Sequence, residues 1–209
     1  VAGVNEAIVR EYFESLGFLV HQPRKYVVMA RSKRPEEEVD LIVVNPQLAA
    51  DVAAPPGDQM VLGGAELRRL ARAVVSVRGW HTDRFSPAIL ELSPEIFRFA
   101  DDQALKGALR LLGPGPVTKV LCLPALPTSP SLKKKALEML REKGVDAVIL
   151  FPTMLRELMR DIEVSKNYEK SDLLQTLRIL KNYDLLRDEQ LELFRKRPAR
   201  ARDPGTPAA

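Results

Sequence analysis

Sulfur and imidazole are scarce in this chain. It has one cysteine, Cys122, within the apolar run VLCLPAL, and only two histidines, His21 and His81. A lone cysteine excludes an internal disulfide and a cysteine-built zinc site. The histidines are not spaced as a ligand pair. A small core role is expected for Cys122 rather than a catalytic thiol, because buried cysteines are usually inert. No apolar run approaches the roughly 20 residues of a membrane span, so no membrane partner is expected. There is no large excess of one charge either: 32 basic against 28 acidic residues leave +4. That balance permits a nucleic-acid partner without demanding one. No internal repeat and no signal peptide are visible. The sequence starts at Val1 without an initiator methionine, which leaves room for residues removed upstream.

What is present describes a soluble globular chain of 209 residues, 45% hydrophobic and 29% charged, expected to reside in a reducing, cytoplasmic setting. NEAIVREYFESLGF predicts a first helix capped by Asn5, with Ala7, Ile8, Tyr12 and Leu16 as its stripe and Gly17 as its stop. FLVHQPRKYVVMA and EVDLIVVN (38–45) predict a hairpin across the charged turn RSKRPEE. A Pro- and Gly-bearing connection follows, then a short helix AELRRLAR and the strand AVVSVRGW (73–80). HTDRFSPAILEL gives no clear assignment. SPEIFRFADDQALKGALRLLG predicts one helix from the Ser93 cap to Gly113. TKVLCLPAL and DAVILFP read as strands around the helix SPSLKKKALEMLREKGV. TMLRELMRDIEVSKNY and KSDLLQTLRILKNYDLLRDEQLELFRKR read as helices. The alternation in the second half implies parallel strands with crossover helices. The expected fold is α/β, a mixed sheet between helices. An α/β domain is expected over 1–160, a helical extension over 161–197 and a disordered tail over 198–209. The leucine-rich extension suits packing on the domain or a homo-oligomer interface.

Two strands break their own apolar rule. Asp40 interrupts a run of aliphatics and shares a face with Ile42 and Val44. Ser76 and Arg78 share a face with Val74 and Trp80. A buried carboxylate costs several kcal/mol, in order of magnitude, unless it is paired or bound to metal. Asp40 is therefore expected to meet Arg78, Ser76 or a cation.

From about residue 5 to 152 the chain resembles the restriction-endonuclease-like, or PD-(D/E)xK, nuclease superfamily. The resemblance rests on an early helix with Glu6, on Asp40 in EEEVDLIVVN, and on SVRGW where an acid, a spacer, a lysine, a glycine and an aromatic are usual. It implies a metal-dependent nuclease core in which paired carboxylates hold Mg²⁺ or Mn²⁺ and the lysine orients the nucleophile or stabilises developing charge. Here Ser76 stands in place of the second carboxylate and Arg78 in place of the lysine. A hydroxyl is a weak ligand for a hard dication. Arg cannot lose its proton and suits pairing with a carboxylate. The expectation is a degenerate, catalytically silent nuclease-fold protein without a cofactor, with Arg78 in the former metal position and a role in nucleic-acid binding or assembly.

Other readings stay open at this point. Asp40 is metal-binding in an active endonuclease if Glu38 or Glu6 supplies a migrated carboxylate. It is a plain ion-pair residue if the fold is an unrelated α/β one, and a pure scaffold or oligomerisation module with no nucleic-acid role is a separate reading. Glu6 also suits simple support of a helix N-terminus, and Glu36, Glu37 and Glu38 a solvated loop. Candidate nucleic-acid contacts are Arg78, His81 and Lys133, Lys134 and Lys135, each also readable as ordinary surface. The basic tail RKRPARAR (195–202) is a solvated end or a weak phosphate-binding arm. Trp80 is read as core, with base stacking as the lesser option.

Overall fold

The computed structural model describes residues 3–23, 38–50 and 59–186. Among the described residues five strands form one sheet in the order β1-β2-β3-β4-β5: Leu19–His21, Leu41–Val44, Arg72–Val77, Thr118–Leu123 and Ala147–Leu150. The first three are antiparallel neighbours, whereas β3, β4 and β5 run parallel. This is the mixed α/β sheet expected from the alternation of apolar strands and amphipathic helices. A further short segment extends it: Val61 bridges Val148 in parallel, with Val148 N donating to the Met60 carbonyl and Leu62 N to the Val148 carbonyl. The connection between adjacent strands β2 and β3 thus reaches the far edge of the sheet before returning.

Alternation of side chains along the strands creates two apolar layers. One face buries Leu41, Val43, Ala73, Val75, Val120, Cys122 and Ile149 beneath α1 (Val4–Ser15) and α6 (Phe151–Asp161). On this side α7 (Asp172–Asn182) packs against α1 and α6 through Leu177, so the described part of the leucine-rich C-terminal region lies on the domain itself. The opposite face buries Ile42, Val74, Leu121, Leu123 and Val148 beneath α3 (Pro87–Leu92), α4 (Asp102–Leu112), α5 (Pro130–Glu142) and a 3₁₀ segment, Pro94–Ala100.

Several local expectations are corrected. The helix expected from Ser93 to Gly113 is two elements, because Asp101 is extended (φ −71°, ψ 146°) and separates the 3₁₀ segment from α4. Ile96, Phe97, Phe99 and Ala100 are all buried. Four apolar side chains so close in sequence reach the core together from a tightly wound segment, and α4 then restarts with its own stripe. Asn5 does not cap α1. Gly3 is the N-cap residue and Asn5 lies inside the helix. The helix expected over 65–72 shrinks to α2, Gly64–Leu67, and Arg72 opens β3 instead. The unassigned stretch after Trp80 contains α3, with the Ser86 hydroxyl accepting from Ile89 N.

The helix expected over 153–168 stops at Asp161, where Ile162 becomes extended. Lys181 Nζ donates to the carbonyls of Met159, Arg160 and Ile162 at 2.9, 3.1 and 2.7 Å, supplying donors to a helix end that would otherwise lack them. Of the helix expected over 170–197, the described part forms α7 and stops at Asn182, Asp184 follows with φ 55°, and residues 187–197 lie outside the described residues. Residues 24–30 of the first hairpin arm, its turn 31–37, the basic stretch 195–202 and the tail 198–209 lie outside the described residues. Among the described residues no helix is long and apolar enough to cross a membrane.

Candidate functional site

The two strands that carry misplaced polar residues are neighbours in the sheet. Leu41 pairs with Val75, so Asp40, immediately before β2, falls opposite Ser76 at the C-terminal end of β3. The backbone continues the ladder one step, with Asp40 N donating to the Val75 carbonyl at 3.0 Å. The carboxylate then takes over. Asp40 Oδ2 accepts from Val77 N at 2.7 Å and from Ser76 Oγ at 3.2 Å. Asp40 and Ser76 are both buried. Their burial is tolerable because one oxygen collects a backbone amide, a hydroxyl and a cation, and donors to an ionised acceptor bind more strongly than neutral pairs.

The cation is Arg78. Its Nη1 lies 3.6 Å from Asp40 Oδ2, and the guanidinium is held from two further sides. Nη1 donates to the Val77 carbonyl at 3.1 Å, and Nη2 donates to the Glu95 carbonyl in the 3₁₀ segment at 3.4 Å. The guanidinium thus joins the end of β3 to the layer that covers it.

Glu38 and Glu6 stand apart from this arrangement. Glu38 Oε1 lies 4.0 Å from Arg98 Nη1. The Glu6 carboxylate folds back to Gly3, occupying the space a β-carbon there would fill, as suits an acid in the first turn of a helix. Among the described residues no three His, Cys, Asp or Glu side chains gather so as to hold a metal ion. Among the described contacts of Asp40 Oδ2 are a backbone amide, a neutral hydroxyl and a guanidinium, and a cation in that place competes with a hard dication such as Mg²⁺ or Mn²⁺ for the carboxylate.

The residues after Arg78 form a second cluster. Asn5, on α1, packs its side-chain amide where a β-carbon on Gly79 would stand, so only glycine permits this approach. Asn5 Oδ1 lies 2.7 Å from His81 Nε2. The His81 ring meets Phe151, at the start of α6, edge to face with centroids 4.9 Å apart. Trp80 stacks on buried Phe85 at 5.6 Å with an interplanar angle of 13° and remains partly exposed. The glycine and aromatic of SVRGW therefore dock the strand end onto α1 and the α3 layer.

Lys133, Lys134 and Lys135 are exposed on α5. Lys134 reaches Glu138 at 3.8 Å. Lys133 and Lys134 line one groove, formed with Met60 and Val61, and Lys135 lines another, formed with α3. Cys122 is fully buried and its thiol is pushed well above its ordinary value, by burial first and by Asp40 second, which keeps it protonated and inert.

Two polar arrangements escape sequence reasoning. Arg72 is buried and donates to three carbonyls: Nη1 to Leu112 at 2.9 Å, Nη2 to Pro114 at 3.1 Å and Nε to Pro116 at 3.3 Å. It thereby fastens the turn between α4 and β4. Tyr12, fully buried in α1, donates its hydroxyl to Glu157 Oε2 on α6 at 2.8 Å. Burial, then the bond to Glu157, pushes the Tyr12 pKa far up. A signal for Arg72 existed in its position directly before the apolar run Ala73–Val75. Nothing local marks Glu157.

Comparison of the chain with protein-family models, with curated proteins and with solved structures gives no match.

Proposed function

We propose that this chain is a restriction-endonuclease-like domain whose metal centre has been replaced by an internal ion pair, leaving a catalytically silent protein that binds nucleic acid or supports an assembly. The observation that carries the reading is the position of Arg78 against Asp40, with Ser76 and Val77 N on the same oxygen. Antiparallel β1-β2-β3 continued by parallel β4 is compatible with such a core, and so is the placement of the acid and the strand-end motif on adjacent strands.

The chemistry follows from the charges. A nuclease of this type needs a dication to polarise the phosphate and lower the pKa of the attacking water. Ser76 adds no negative charge to attract one, and Arg78 opposes its entry. Arg78 also cannot serve as a base. Nothing in the positions of Glu38 or Glu6 favours a migrated carboxylate, because each is engaged elsewhere.

The test is cleavage of linear, supercoiled and branched DNA with Mg²⁺ or Mn²⁺, beside binding measured across a salt series. No cleavage is expected. Cleavage abolished by Asp40→Asn would overturn the reading. Binding that weakens steeply with salt assigns the nucleic-acid role, and salt-insensitive self-association assigns the assembly role.

A further inference from the structure

We infer that residues 163–186, α7 with the segment that leads to it, form a strap that opens as one unit while the rest of the domain stays folded, and that the Lys181 ammonium is its latch. The strap is tied to itself. Tyr168 N donates to the Gln175 side-chain oxygen at 3.1 Å, Arg178 Nε to the Val164 carbonyl at 2.8 Å, and Leu174 N to Ser171 Oγ at 3.2 Å. The Tyr168 hydroxyl accepts from Glu163 N at 3.1 Å. Each of these bonds joins the leading segment to α7 or to itself, so none is lost when the two move together.

Its hold on the domain is narrower. Leu177 is the one buried side chain of α7, with Leu173 and Leu174 beside it, and Tyr168 and Leu186 outside the helix, only partly buried. An open cleft of about 580 Å³ separates the leading segment from α1, with Arg10, Glu11 and Glu14 on one side and residues 167–171 on the other. Among the described residues, the hydrogen bonds from the strap to the rest of the domain all start at Lys181 Nζ, which reaches the carbonyls of Met159, Arg160 and Ile162. There the cation also meets the negative pole of α6. Arg160 is exposed, so water can replace the ammonium at its carbonyl when the strap lifts. Elements with few buried apolar contacts are the ones that open locally, below the free energy of global unfolding. The hinge falls between Ile162, which is buried and stays with the domain, and exposed Glu163. Opening bares the side of α1 and α6 that α7 covers.

The test is native-state hydrogen exchange on the full chain at low denaturant concentrations. The α7 amides should be less protected than those of β3 and β4 and should share one opening, with a shallower denaturant dependence because it exposes less surface. Lys181→Met should speed their exchange at least about fivefold. Lys170→Met, the same change at an exposed lysine of the strap, should stay within about twofold. Ile96→Val trims the opposite apolar layer, so it should speed exchange in β3 and β4 about fivefold and leave α7 unchanged. Equal protection of α7, β3 and β4 would overturn the inference, and so would α7 amides with no protection at all. The same holds if α7 loses protection together with the strands in Ile96→Val, or if Lys181→Met acts no more strongly than Lys170→Met.

Discussion

Arg78 Nη1 and Asp40 Oδ2 stand 3.6 Å apart at the end of two adjacent strands, with only 15% and 5% of their side chains exposed. At that burial neither charge is well solvated. Removing one partner takes a charged contact from the other, and losses of about 3–5 kcal/mol are typical of broken buried pairs. Asp40→Asn is therefore expected to destabilise strongly, and Arg78→Met nearly as much. The double variant should cost clearly less than the sum of the two singles. Urea unfolding of all four proteins measures the coupling. Simple additivity would mean that the two groups do not interact.

The contact was legible because both residues break an apolar pattern. Each sits at the end of an aliphatic run, and period-two alternation puts Ser76 and Arg78 on one face. A buried carboxylate then demands a partner, and few were on offer. The same logic failed for Arg72. A cation beside AELRRLA reads as the end of a helix, yet Arg72 begins β3 and its acceptors follow 40 to 44 residues later. Tyr12 and Glu157 are 145 positions apart. Each fits its own amphipathic helix, and only the packing of α1 on α6 brings them together. The break at Asp101 was equally hidden, since local propensity suits a continuous helix and the burial of Phe97 and Phe99 decides otherwise.

Arg72 supplies a second measurable consequence. Arg72→Lys keeps the charge but cannot reach three carbonyls with one ammonium in the same plane. A loss of about 2 kcal/mol is expected, by analogy with other charged hydrogen bonds. Chemical denaturation reads it directly, and backbone amide exchange should quicken around 112–118. An unchanged midpoint would show that the guanidinium geometry is dispensable.

Gly79 is required by Asn5 rather than by its own backbone conformation. Gly79→Ala should push the Asn5 side chain aside and break its contact with His81, at a cost of about 1 kcal/mol. In an Asn5→Ala background the same change should cost little. His81 ring resonances should shift in Gly79→Ala and not respond further in the double variant. Equal costs in both backgrounds would contradict the packing described.

Alkaline pH should unfold the protein through two buried protons. The folded-state pKa values of Cys122 and Tyr12 lie above their ordinary values of 9.0 and 10.0. Below pH 9 both groups stay protonated in either state, and their contribution is fully present. Above that, the unfolded chain releases protons that the folded chain retains, so stability falls as pH rises. The slope from fully buried Cys122 should approach about 1.4 kcal/mol per pH unit. Cys122→Ala should shallow the decline between pH 9 and 10, and Tyr12→Phe should do so above pH 10. A profile flat to pH 11 would contradict the burial of both groups.

On the proposed reading a guanidinium, not a metal, neutralises Asp40. Calorimetric titration of Mn²⁺ into the wild-type chain and Asp40→Asn, at matched folded concentration, tests it most directly. The two isotherms should superimpose, with no binding event that depends on Asp40. A saturable site present in the wild type and lost in Asp40→Asn would contradict the account.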